Sequence, residues 1–431
     1  MQLPLRRALS ASVRRGLSTA AAASHPPWAM IDGMSLVNSR APRAFLELAE
    51  PPRASNLLVP LHLINPLPRP EPITENWGDL GGMVRGTSGD GLLLLQFHDE
   101  PPAGARRRAA PDGELVVLDT NPDITRFVCN PLSGELVRLP DIDGTKKCPD
   151  WHPQGLLTRR VRGHGPPDRF AVAELSVDGA GDGRSFAMRR FFSETGEWDK
   201  LVGLPSPLPL PREISIDHEV LPFAGRLWWV DLTWGAVSAD PFSDRPELSF
   251  VELPKASVCP VRGPGPKEIT AQGLYRRMGV SEGRMRYVEV SQKEPFVLSS
   301  FALDDDCSGW TLEHQVALSR ILADAGKQEG TPRIGVIHPL NASFMSVING
   351  HQSLTVDMDN RKVLQCSPIH EDEIGFPALF SMYSAFLKPC VLPPWLGSSR
   401  IPSAGTLSSK ASVKSRTLSD ILVRVDRDKK N

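Results

Sequence analysis

A chain of 431 residues, 40% of them apolar, is too long for one small core and has the material for either one large closed β-architecture or two ordinary domains. A formal net charge of −1 excludes a protein whose main task is gripping phosphates, so nucleic acid is not an expected partner. No run of about 18 apolar residues occurs, so no membrane span is expected either.

The first 24 residues differ from the rest. Arg6, Arg7, Arg14 and Arg15 are interleaved with Ser and Ala, and no acidic residue precedes Asp32. Leu5, Leu9, Val13 and Leu17 recur every fourth position, which places them on one side of a helix. That is the make-up of an organellar transit peptide, and the amphipathic arginine pattern points to the mitochondrion, with plastid, cytoplasm and nucleus as the alternatives.

Beyond Ala44 the texture is short apolar strands cut by turns, in keeping with 41 prolines and 35 glycines. A strand apolar on both faces is expected over Leu92–Phe97, and another over 114–120. Residues 126–141 read as strand, turn from Asn130 to Gly134, strand, and a closing Leu139-Pro140. Degraded copies of that unit follow. Residues 188–205 turn at Gly196 and carry Trp198. Residues 235–254 turn around Asp240-Pro241, residues 297–318 turn before Gly309-Trp310, and residues 352–368 turn at Asp359-Asn360. The anchors Gly134, Gly196, Asp240, Gly309 and Asn360 recur at intervals near the ~40–50-residue period of propeller blades, stretched by insertions. Stacking such units radially gives each strand face a neighbour, which explains strands apolar on both sides. In the outer strand after Trp310, the residues Trp310, Leu312, His314, Val316 and Leu318 alternate with polar ones and should share one face.

Three tryptophans, Trp228, Trp229 and Trp234, fall within seven positions. On a strand, Trp228 and Val230 face one way while Leu227 and Trp229 face the other. Burial of Trp228 and Trp229 on an inner strand between two blades is the expectation, and Trp234, where the strand turns, is left open as a surface candidate. A two-turn helix should end at Gly326. After Gly397 a basic, Ser-rich tail leads to Leu418, Ile421, Leu422 and Val425, spaced as a short amphipathic helix capped by Thr417.

Asp90-Gly91-Leu92-Leu93, and Asn130-Pro131 through Gly134 to Leu139-Pro140, resemble units of the kelch and F-box-associated type of propeller. The stretch from Gly225 to Pro254, with Trp228-Trp229-Val230-Asp231, Trp234-Gly235, Asp240-Pro241-Phe242 and Leu253-Pro254, resembles a plant family expanded in grasses, domain of unknown function 1618. Residues 25–32, 41–57 and 309–324 are similar to its opening and later segments. The resemblance implies an all-β, propeller-like body of about six blades and no defined activity. By fold-level analogy it implies a binding scaffold. No F-box segment is found near the N-terminus.

Chemistry-bearing motifs are missing. No phosphate loop, nucleophile elbow or zinc-type spacing occurs. Gly263–Pro266 lacks the strand-to-helix context of an anion loop, the glycine-rich Asp178–Gly183 lacks calcium-ligand spacing, and Asp304–Asp306 reads as an acidic turn. Cys148 and His152 form a lone pair with no second pair nearby. Asp217, His218 and Glu219 are strand neighbours that alternate in direction and do not converge. The six cysteines form no CxxC and are expected to be buried free thiols in a reducing compartment. No catalytic, cofactor-binding or metal-ligating residue is therefore assigned, and no cofactor is expected.

The chain divides into a basic segment over 1–28, a propeller-like domain over 29–396 and a tail over 397–431. The functional expectation is a monomeric, non-catalytic scaffold that binds a protein partner through its loops. The alternatives are a divergent propeller enzyme acting on a small molecule or glycan, betrayed by perturbed titratable groups in the central channel, and the substrate-binding part of a ubiquitin-ligase complex that lacks its own F-box. Residues 1–40 fused to a fluorescent protein should enter mitochondria; a diffuse cytosolic signal rejects the import reading.

Overall fold

The computed structural model describes residues 25–60, 80–99, 108–109, 115–116, 123–146, 152–160, 165–177, 185–208, 214, 219–259, 272–326, 330–369 and 383–402. Six four-stranded sheets make up a six-bladed β-propeller. Strands a to d are taken from the axis outward. Blade I holds Leu80–Thr87, Leu93–Asp99, Asp123–Cys129 and Leu136–Arg138. Blade II holds Gln154–Arg159, Arg169–Val177, Ser185–Phe192 and Glu197–Pro205. Blade III holds Glu219–Phe223, Arg226–Asp231, Gly235–Ala239 and Ser249–Glu252. Blade IV holds Arg276–Ser281, Arg284–Val290, Val297–Leu303 and Trp310–Ala317, and blade V holds Arg333–Ile337, Phe344–Asn349, Gln352–Asp357 and Lys362–Pro368.

The sixth blade is assembled from both ends of the chain. Its a strand, Leu387–Val391, pairs antiparallel with the N-terminal strand Trp28–Ser39, from Trp28 against Val391 to Asp32 against Leu387. Trp28–Ser39 in turn runs parallel to Ser55–Pro60, whose outer neighbour is Phe45–Glu47. The a strands follow one another around the axis in blade order, and the closing strand touches those of blades V and I.

The core lies between blades. Leu157, Phe186, Trp229, Trp234 and Val237 fill the II–III interface, while Trp228, Val230, Met278 and Tyr287 fill III–IV. Val288, Leu298, Ile334, Val347 and Leu354 fill IV–V. All three clustered tryptophans are buried, Trp229 completely, and the Trp234 indole donates to Glu252 Oε1 at 3.1 Å. They belong to the b strand of blade III, an inner strand as expected, and to its b–c turn, while Glu219–Phe223 takes the axial position.

The expected anchors Gly134, Gly196, Asp240, Gly309 and Asn360 all fall in c–d turns of blades I to V, so the repeat is structural. Its residues reach across to neighbouring blades. Asp90 accepts from Thr158 Oγ1 at 2.6 Å and pairs with Arg160, both of blade II. Asp240 of blade III takes the Arg159 guanidinium of blade II at 2.8 Å. The Trp198 indole donates to Pro140 O at 2.8 Å and the Trp310 indole to Glu252 O at 2.7 Å, each reaching the chain where the preceding blade ends at its Leu-Pro.

One expectation is corrected. Alternation after Trp310 breaks at a register shift between Ser300 and Phe301, which leaves Leu312 exposed and turns Glu313 toward Arg284 and Arg286. Of the strand expected over 114–120, Leu115–Val116 is a strand paired to Arg108–Ala109, and the remainder lies outside the described residues. A helix over Leu318–Asp324 does stop before Gly326, whose φ is 64°. The N-terminal arginines, the 417–425 helix, Gly263–Pro266 and Asp178–Gly183 lie outside the described residues.

Gly91 has a φ of 89°, and a Cβ on it would overlap the carbonyl oxygen of Val391 in the closing strand. Gly91→Ala therefore combines a left-handed backbone with a clash at the closure. Loss of about 1–3 kcal/mol from the backbone alone is expected, with more from the clash. Urea denaturation of the two proteins measures it, and equal midpoints would refute the closure argument.

Candidate functional site

Sequence reasoning assigned no site residues. The structure gathers a charged cluster at the axis from three blades. Glu219 opens the a strand of blade III, Arg277 is the second residue of that in blade IV, and Lys388 is the second residue of the closing strand. Blades III and VI stand opposite each other in the ring, so the Lys388 Nζ–Glu219 Oε1 contact of 2.7 Å crosses the axis.

Arg277 is buried and is spent largely on backbone. It donates to Gly335 O of blade V, to Leu387 O of the closing strand at 3.0 Å, and to Ala385 O at 2.7 Å. The a strand of a propeller blade has one edge with no β-partner, and its carbonyls need donors from elsewhere. A planar guanidinium satisfies several of them at once.

Burial lowers the Lys388 pKa from its ordinary 10.5. The Glu219 carboxylate opposes that shift, while the Arg277 and Arg85 cations reinforce it. Burial also lowers that of Arg277, again against the pull of Glu219.

Above this cluster, at the end of the ring where the a–b turns lie, a cavity of about 280 Å³ opens along the axis. Glu219 and Arg277 line its depth. Leu221, Pro222, Met278, Val280, Ile337 and Val391 form its walls. Leu340, 45% exposed, stands at the rim. A wider depression of about 510 Å³ lies between Arg43 of the closing blade, the Ser133–Leu136 turn of blade I and the Gly397–Arg400 segment. That segment is tied down rather than open: Asn130, fully buried, donates through Nδ2 to Leu396 O at 2.9 Å, and Glu135 accepts from Ile401 N at 2.7 Å.

Of the sequence candidates, Glu219 is brought to the axis, while Asp217, His218 and Cys148 lie outside the described residues. Asp304 and Asp306 hold their own turn, with Asp306 accepting from Ser308 N at 3.0 Å and Asp304 from Thr311 Oγ1 at 2.8 Å. Cys129, Cys259, Cys307, Cys366 and Cys390 are free, but only Cys129 and Cys390 are buried, and Cys366 is exposed at an outer strand. Burial pushes the Cys390 thiol up to about 12. Among the described residues no group of three or more His, Cys, Asp or Glu side chains could hold a metal ion, and no helix is long and apolar enough to cross a membrane.

The lowered pKa of Lys388 makes stability pH-dependent. Between the folded-state value and 10.5 the unfolded chain binds the proton more tightly than the folded one, so stability rises with pH through that window. Below the folded-state value both states are protonated and the burial penalty is constant. Urea titrations at stepped pH should show the wild type gaining stability relative to Lys388→Met through that window, since the buried thiols act alike in both. Parallel curves would show that Lys388 titrates as an exposed lysine.

Comparison with solved structures finds similarity at low identity. A chain from the mitotic checkpoint complex aligns at 7% identity over 70% of this chain and 73% of that one, with a TM-score of 0.30. A putative 6-phosphogluconolactonase from Bacteroides fragilis NCTC 9343 aligns at 12% over 80% and 96%, with a TM-score of 0.29. AofleA from Arthrobotrys oligospora aligns at 9% over 69% and 76%, also at 0.29. TM-scores of this size carry no argument about function. No curated protein matches the chain significantly. The sequence profile of one family, described as protein of unknown function (DUF1618), matches residues 229–383, from Trp229 in blade III to Tyr383 just ahead of the closing strand.

Proposed function

We propose that this chain is a non-catalytic, propeller-type scaffold, a member of that family along its whole β-body, which docks a protein partner on the face carrying the a–b turns. The observation that carries the reading is how the axial charges are used. A divergent enzyme should show perturbed titratable groups in the channel, and Lys388 and Arg277 are perturbed. Their bonds, however, go to Glu219 and to the carbonyls of Gly335, Ala385 and Leu387, which is the work of closing a ring. The a–b face offers an apolar mouth instead, with Leu340 exposed among Pro339, Pro222, Leu221 and Val280. Exposed aliphatic groups rimmed by polar surface favour association. The kelch-like units, the plant origin and mitochondrial import belong to the same proposal, as does the assignment of 29–396 to one domain.

A photo-crosslinking amino acid at position 340 should form a discrete adduct in tissue extract. The same group at Val177, exposed at the opposite end of blade II, should not. Equal labelling from both positions, or none from 340, would remove the docking face from the proposal.

A further inference from the structure

Among the described residues, the axial cluster has more donors than the bonds it makes. Arg277 has five N–H donors and Lys388 three. Among the described residues, the acceptors they meet include three backbone carbonyls and one oxygen of Glu219. Arg277 and Glu219 both line the foot of the cavity, and Lys388 pairs with Glu219 behind them. Buried positive charge in excess is costly unless an anion compensates it.

The space above is small and mostly greasy. Its volume is about 280 Å³. Its walls are Met278, Val280, Ile337, Leu221, Pro222 and Val391, from blades III, IV, V and VI. Gly279 lets the wall come close, since a Cβ there would sit 3.1 Å from Ile337 Cδ1.

We propose that this cavity binds a carboxylate borne on a short apolar body, with the anion directed at Arg277 and the apolar part held against Met278, Val280 and Ile337. A free branched-chain or aromatic acid carries that chemistry, and so does the C-terminal residue of a peptide. The site is separate from the docking reading: a partner can cross-link at Leu340 whether or not the cavity beneath takes an acid.

Methionine-methyl NMR of the full chain tests it, because Met278 reports from the wall and Met278→Leu assigns its signal. The probes are 4-methylpentanoate and its amide, and an acetylated pentapeptide ending in leucine as free acid and as amide. At least one acid should shift the Met278 methyl and bind at least tenfold more tightly than its amide. Val280→Trp, which fills the cavity from a partly exposed position, should abolish that shift while leaving the other methionine signals in place. A response to the free acid alone identifies a small-molecule site, and a response to the peptide acid alone identifies chain-terminus recognition. If neither acid shifts Met278, if acid and amide bind alike, or if the response survives in Val280→Trp, the proposal is wrong.

Discussion

The propeller depends on five residues of one end pairing with five of the other. Trp28–Asp32 and Leu387–Val391 form the two innermost strands of the closing blade, and no covalent turn joins them. If they part, the blades on either side lose a neighbour. Leu92, Leu94, Val128, Cys390, Leu392, Leu396 and Ile401 belong to one core that spans this seam. The separation in sequence is large, yet loop-closure entropy grows only by about 0.6 kcal/mol for each doubling of length. Each fully buried aliphatic side chain contributes roughly 1.5–3 kcal/mol, so the handful buried at the seam outweighs the extra cost of a long loop.

Charge at the axis follows from the same geometry. An a strand has a b strand on one side and the axis on the other, so its carbonyls cannot be satisfied by another strand. Arg277 answers this for blades V and VI together. Elsewhere donors from one blade reach carbonyls of a neighbouring blade: Trp229 to Pro153 O at 3.3 Å, Arg190 to Pro241 O at 2.9 Å, Arg276 to Leu232 O and Ser257 O at 3.0 and 2.8 Å. Each interface is thus an apolar centre fenced by side-chain-to-carbonyl bonds. This explains why indoles and arginines recur in a repeat whose sequence is otherwise poorly kept.

The turns were legible in sequence because they are local. Asn130, Asp240 and Asp357 each accept backbone N–H bonds from residues two or three positions on, and those are short-range signals. The burial of Trp228 and Trp229 was legible too, because a strand apolar on both faces needs cover on both. The closing strand was not. Leu387–Val391 contains Lys388 and Pro389, both poor strand signals, and its partner lies at the other end of the chain. The break in alternation after Trp310 comes from a bulge, which inserts no marker residue. The axial cluster was hidden for a further reason. Glu219, Arg277 and Lys388 come from three blades with no fixed spacing, and only the ring closure brings them together.

That shared origin couples closure to the cavity. Arg277 at its floor holds the closing strand through Leu387 O and Ala385 O, and Glu219 beside it pairs with Lys388 of that strand. Parting Trp28–Asp32 from Leu387–Val391 would carry away Lys388, Pro389 and Val391, and with them one wall and half of the charge pair. An occupant that needs those groups in place binds only the closed ring. By mass action its affinity must then appear as added stability of the seam, and any change that loosens the seam must weaken the occupant by the same free energy. The axis is therefore both the lock of the fold and the place where its stability can be read by a ligand.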